Sequence, residues 1–316
     1  MSYVGGPMVE KSHCNDIIIP ESLRKEYPFR SHFHSIKVKD QNSLKMHFVD
    51  EGPQKADPIL MIHGNPTWSF TYRNLIKSLK ETNRTIAVDH IGCGLSDKPQ
   101  NYAYQLQNHI ENLESLVKTL KLNNITLIVH DWGGAIGFGL ATRNLHLIKQ
   151  IVILNTAAFE SDQIPRRISL CRMPFIGEKI VRHFNAFAWP ATFMGVTHKL
   201  PKVVKQGYLL PYNNYKNRIA TSRFVKDIPL EKDHPTFKTI KDIENNLFRI
   251  TCPKLILWGG KDFCFNNHFY DRWKEIYPTA KTHYFKKGGH FIIEDEKEEV
   301  LCQIKAFLNN NRPNHL

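Results

Sequence analysis

Residues 125–141, ITLIVHDWGGAIGFGLA, constrain this chain more than any other stretch. An apolar, β-branched run stops at Asp131, and a helix of small residues begins at Gly133. The run reads as a buried strand and the small residues as a helix packed closely on it, so the turn between them presents Asp131 at the edge of a sheet. The free N–H groups and dipole of the new helix favour negative charge there, which predicts an anionic Asp131 at neutral pH. A plain N-cap is the competing role, because Asp caps helices well. The rest of the chain decides between the two.

A second strand running into a Pro-containing turn and a helix, PILMIHGNPTWSFTYR, occupies 58–73. The Asp131 junction has the form of a nucleophile elbow, the strained strand-to-helix turn of α/β-hydrolases, with Asp131 in the nucleophile slot. Val129 stands where the serine enzymes of that class carry glycine. HGNPTWSF (63–70), DHIGCGLSDKP (89–99) and HDWGG (130–134) follow in order, then an acid after WGGKD (258–262) and a histidine in GGHFIIED (288–295). In that order these five motifs resemble the haloalkane-dehalogenase family, from about residue 28 onwards. The resemblance implies an α/β-hydrolase fold with a mostly parallel eight-stranded sheet and an inserted helical cap.

The strand and helix pattern agrees with that expectation. Strands are predicted near 33–39, 45–51, 58–63, 84–89, 125–130, 149–155, 254–260 and 281–286, with helices at 69–80, 133–144, 266–277 and 296–309. Leu106, Ile110, Leu113, Val117 and Leu120 recur at helical spacing and mark one more helix. Such alternation makes a doubly wound sheet with ligands at the carboxyl ends of its strands. The alternation lapses after Asn155. We therefore divide the chain into a poorly structured N-terminal extension (1–30, with Pro20 and Pro28 around a short helix), a core (31–157 and 247–316) and a helical cap (158–246).

With 316 residues, 41% of them hydrophobic, the chain can fill a large core. The opening MSYVGGPMVEKSHCND has no apolar signal stretch and no run reaches the ~18 to 20 residues of a membrane span, so a cytoplasmic location is expected. Cys14, Cys93, Cys171, Cys252, Cys264 and Cys302 are scattered and read as reduced thiols, with Cys93 and Cys264 near motif positions. The net charge of +13 suits an anionic partner, but Lys and Arg form no run of four and no nucleic-acid motif accompanies them. Nucleic acid is not an expected partner, whereas peripheral contact with a membrane surface stays open.

An Asp nucleophile attacks a saturated carbon, expels a leaving group and leaves an alkyl ester that water can open. Such chemistry needs a base for the water and donors for the leaving atom. His290, in a Gly288-Gly289 loop after the last strand, holds the last place in the nucleophile, acid, histidine order and is the candidate base. His63 and His130 read as structural, and His283 lies within a strand. Asp262 is the candidate acid orienting His290. Some dehalogenase relatives place that acid after the preceding core strand, where this chain has Asn155, and Glu160 and Asp162 are weaker rivals. For the leaving group, Trp132 offers an indole N–H and Asn65 two amide hydrogens. Epoxide-hydrolase relatives usually carry an aromatic in place of Asn65, and fluoroacetate-dehalogenase relatives an Arg in place of Trp132. Phe187, Trp189 and Phe193 are expected to line an apolar substrate pocket, with Phe175, Phe184 and Met194 in the same apolar cap; neither a cofactor nor a metal is expected.

Within that family, DHIGCGLSDKP, NTAAF (155–159), RIATSRFVKDIPL (218–230) and KDFCF (261–265) most resemble the β-lactone decarboxylases of bacterial long-chain olefin biosynthesis. This resemblance implies conversion of cis-dialkyl β-lactones to cis-olefins and carbon dioxide, with assembly alongside other enzymes of the olefin pathway. Haloalkane dehalogenation through an Asp ester is the alternative. A non-catalytic binding module on the same scaffold is the third reading.

Overall fold

The computed structural model describes residues 17–38 and 42–310. Helix α1 (Glu21–Arg24) precedes strands β1 (His32–Ile36), β2 (Leu44–Glu51) and β3 (Pro58–Ile62). A 3₁₀ turn (Ser69–Tyr72) leads into α2 (Arg73–Leu79), then β4 (Arg84–Val88), α3 (Leu106–Thr119), β5 (Ile125–Asp131), α4 (Trp132–Arg143) and β6 (Ile148–Thr156). The segment after β6 forms helices: α5 (Arg166–Arg172), α6 (Ile176–Phe184), α7 (Ala188–Met194), α8 (Lys202–Leu209), α9 (Ile219–Lys226) and α10 (Phe237–Asn246). The sheet resumes with β7 (Lys254–Gly259), followed by α11 (Asn267–Ile276), β8 (Lys281–Phe285), α12 (Ile292–Asp295) and α13 (Lys297–Asn310).

The eight strands lie in the order β1-β2-β4-β3-β5-β6-β7-β8, with β1 and β2 antiparallel to their neighbours and the rest parallel. The chain winds to one side after β3 and to the other from β5. Residues just past β3 and β5 therefore face the crevice where open sheets of this type bind ligands. Alternation along the strands divides the apolar residues between two cores. Leu60, Ile62, Leu127, Val129, Ile151 and Ile153 join the layer of α3 and α4, while Ile59, Met61, Ile128, Val152 and Leu154 face α2 and α13.

Helix α4 lies close to the strands because its first turns lack side chains. A Cβ on Gly133 would stand 1.9 Å from the Ile62 carbonyl oxygen, and one on Gly137 would stand 2.6 Å from Val129 Cγ1. Val129 is accommodated by the glycine opposite it on the helix.

The stretch before β1 differs from the expected loose extension. From residue 17 it is ordered, and Leu23, Tyr27 and Phe29 are buried in the second core. These three apolar side chains give the segment something to bury, and the Tyr27 hydroxyl shares a 2.6 Å hydrogen bond with Ser69. Residues 1–16, which include Cys14, lie outside the described residues.

Candidate active site

Four loops at the carboxyl ends of β3, β5, β7 and β8 deliver the polar residues. Asp131 closes β5 at φ +52° and ψ −130°, a conformation that side-chain-bearing residues rarely adopt. Its carboxylate does not cap α4 in the usual way, because no side-chain bond to the following turn forms. The Asn65 backbone N–H donates to Asp131 Oδ1 at 2.6 Å, and the Thr156 hydroxyl donates to the Asp131 carbonyl. Asp131 is thus held from two sides in a strained turn, and a capping role does not account for it.

His290 follows β8, and its Nε2 lies 3.6 Å from Asp131 Oδ2. Its Nδ1–H donates to Asp262 Oδ2 at 2.8 Å, which fixes the tautomer that turns Nε2 toward Asp131. Asp262, after β7, is fully engaged: the Cys264 backbone N–H donates to Oδ1 at 2.7 Å, and Asn155 Nδ2 donates to Oδ2 at 3.0 Å. In the sequence Asn155 stands only at a rival position for the acid. It proves to be the clamp on Asp262, since its amide also pairs with the Gly259 N–H and carbonyl. The signal available in sequence was an amide ending a buried apolar strand, where a polar side chain needs a local partner.

Burial pushes the Asp131 carboxyl above its ordinary range, against the opposing pull of His290 and of the Trp132 and Asn65 backbone N–H groups. The helix-terminus donors are present as expected, but desolvation outweighs them. Burial alone would lower the His290 imidazole, yet the adjoining Asp262 carboxylate, with Asp131 beyond Nε2, lifts it above its usual value. His63 and His130 are buried and held low by desolvation, His63 bonding Gly64 and His130 donating to the His290 carbonyl. His283 stands on β8 and Glu160 pairs with Lys241.

The donors expected for a leaving group need one adjustment. One Asn65 amide hydrogen goes to the Thr221 carbonyl at 3.1 Å, leaving a single hydrogen for a ligand. Trp132 lines the cavity and rests on Phe224, with ring centroids 5.4 Å apart.

Above Asp131 lies a cavity of about 390 Å³. Asn65, Asp131, Trp132 and His290 form its floor, with Cys264 beside them, and apolar cap residues including Ile168, Ile180, Phe187, Met194, Val225 and Ile228 form its walls. Phe187 is therefore where the sequence placed it. Trp189 and Phe193 are not: they are 50% and 49% exposed and pack on each other outside the cavity. The phase of α7 explains this, since 187, 190, 191 and 194 share the inward face and 189 and 193 the opposite one. Phe175 and Phe184 likewise project into solvent.

Comparison with known proteins agrees with this geometry. The α/β-hydrolase fold family matches residues 57–297. The chain is 44% identical to a cis-3-alkyl-4-alkyloxetan-2-one decarboxylase of Shewanella oneidensis over 89% of each chain. It is 30% identical to a haloalkane dehalogenase of Mycobacterium marinum, covering 88% of this chain and 93% of that one. In fold it matches the crystal structure of a haloalkane dehalogenase from Bradyrhizobium elkani with a TM-score of 0.79, at 23% identity, over 89% of this chain and 99% of that chain. The chain belongs to the α/β-hydrolase fold family, in its haloalkane-dehalogenase-like branch.

Proposed function

We propose that the protein decarboxylates cis-3,4-dialkyl β-lactones to cis-olefins, with Asp131 as nucleophile. The observation that carries this reading is the 44% identity, over 89% of both chains, to an oxetan-2-one decarboxylase. The apolar cavity over a buried carboxylate supports it, because a lactone with two alkyl arms offers one polar group to the floor and hydrocarbon to every wall.

The Asn65 backbone N–H at the head of the site is spent on the Asp131 carboxylate itself. A carbonyl intermediate on the substrate would need such donors for its own oxygen, so attack at the saturated ring carbon is favoured. Asp131 Oδ2 bonds to the carbon bearing the ring oxygen, and the carbon–oxygen bond breaks with its electron pair leaving on the new carboxylate. That carboxylate then departs as carbon dioxide. Its carbon–carbon bond pair becomes the double bond and expels Asp131, regenerating the enzyme without water. Inversion at the attacked carbon followed by anti departure keeps the two alkyl groups cis. The free Asn65 hydrogen and the Trp132 indole N–H receive the ring oxygen, while His290, positioned by Asp262 and Asn155, keeps Asp131 ionised.

Haloalkane dehalogenation uses the same first step and then needs His290 to activate water. The discriminating experiment incubates the purified protein with a long-chain cis-β-lactone and, separately, with 1-bromobutane. Olefin and carbon dioxide from the first, with little bromide from the second, is the expected result. Efficient bromide release with an inert lactone would overturn the decarboxylase reading in favour of the dehalogenase. For its compartment we propose the cytoplasm, on the strength of the scattered thiols; among the described residues no helix is long and apolar enough to cross a membrane.

A further inference from the structure

Twelve large hydrophobic residues are exposed among the described residues, and seven of them fall between 170 and 193, on the cap. Single exposed apolar side chains are ordinary on a protein surface, but a cluster of this kind calls for an explanation. Leu170, Met173, Phe175 and Ile176 crowd the corner between α5 and α6. Phe175 is 83% exposed and sits at φ +60°, so the backbone is strained in holding a phenyl ring out into water. A soluble surface has no use for that arrangement.

The charge of the chain segment that carries the corner is equally one-sided. From 164 to 205 the chain carries eight Lys and Arg residues and one acid, Glu178, more than half of the excess of the whole molecule. Glu178 is already bonded by Arg182 and Lys226, which leaves Arg166, Lys179, Lys199 and Lys202 without an acidic partner in their own segment. Apolar side chains flanked by cations, here Arg166 and Arg167 before the corner and Lys179 after it, are what an anionic bilayer takes up, with rings below the headgroups and ammonium and guanidinium groups among them. A nucleic acid would use the cations and stack on the phenyl ring but leave Leu170, Met173 and Ile176 idle, and an apolar protein interface would not need the positive surround.

The corner is also continuous with the cavity. Leu170 is half exposed and at the same time lines the space above Asp131, as does Arg167. We propose that residues 170–176 dock the protein on an anionic lipid bilayer, so that a substrate with long alkyl chains passes from the hydrocarbon layer into the cavity without crossing water. The docking surface goes beyond the proposed reaction and stands on its own observations; only its use for lactone uptake rests on that reaction.

The test follows the full chain with vesicles of phosphatidylcholine alone and of phosphatidylcholine containing phosphatidylglycerol. Sedimentation with the anionic vesicles, weakened by added salt, is expected. Phe175→Asn combined with Ile176→Ser, with Asn chosen because it tolerates positive φ, should weaken binding by about tenfold or more. Arg166→Gln combined with Lys179→Gln should remove most of the preference for phosphatidylglycerol. Both double variants should turn over detergent-dispersed substrate as the wild type does. Failure to bind vesicles, equal binding by the Phe175 variant, or a change in molecular mass by light scattering without lipid would each overturn the proposal; the last would make this corner a protein interface. Binding is read without turnover, so its failure is distinct from failure of the decarboxylase assay.

Discussion

At the scale of single residues, the site is a chain of side chains each holding the next: Asn155 on Asp262, Asp262 on His290, His290 facing Asp131. Asp131→Asn keeps the shape and removes the proposed nucleophile, so turnover should vanish while the thermal unfolding curve stays close to wild type. Residual activity above a few per cent, with deamidation excluded by mass spectrometry, would sink the assignment. His290→Ala separates the two half-reactions on a haloalkane, since attack by Asp131 needs no base and attack by water does. Intact-protein mass spectrometry should then show one added alkyl group; a steady state like wild type with no adduct would contradict the role of His290. Asp131, His290 and Asp262 were legible in the sequence because elbow, loop and strand end each leave a local signature. Asn155 was not, because its partner Asp262 lies 107 residues further along the chain.

At the scale of elements, the cap is joined to the core through Asp227, which ends α9. Its Oδ2 accepts from the Leu106 backbone N–H at the start of α3 at 2.7 Å, and its Oδ1 accepts from the Thr236 hydroxyl at 2.6 Å. Burial pushes this carboxyl up to about 7, against the pull of those two bonds. Between about pH 4 and 7 the folded chain therefore keeps a proton that the unfolded chain has lost, and stability falls as pH rises through that window. Asp227→Asn removes the titration. Measured by denaturant unfolding, the variant should gain on the wild type from pH 4 to 7, by at most on the order of 4 kcal/mol; a difference that stays flat across that range would refute it. Strand and helix positions in the core were readable because hydrophobic period and turn residues agree there. In the cap the aromatic content was visible, but which aromatic faces inward was not: a short helix flanked by turns has no phase until its neighbours are in place, and Trp189 and Phe193 fell on the outer side.

At the scale of the whole molecule, the cavity volume should limit the alkyl chains of the proposed substrate. Each methylene buried in an apolar pocket contributes roughly 0.8 kcal/mol, so affinity should rise about threefold to fourfold per carbon until the space is full. A cis-β-lactone series of increasing chain length, scored by kcat/KM, should climb and then level off; a flat series would mean that the alkyl arms lie outside the cavity. The cap above that cavity is fastened unevenly. On one side Glu294, four residues after His290, pairs with Arg73 at 2.9 Å and accepts from the Tyr208 hydroxyl of α8 at 2.6 Å. On the other side α5, α6 and α9 share a small apolar cluster around Cys171, Val181 and Val225. A small cluster yields before a large core or a buried ion pair does. Amide hydrogen exchange should therefore be faster in α5 than in α8, and the histidine would stay registered on its carboxylates while bulky hydrocarbon enters and leaves.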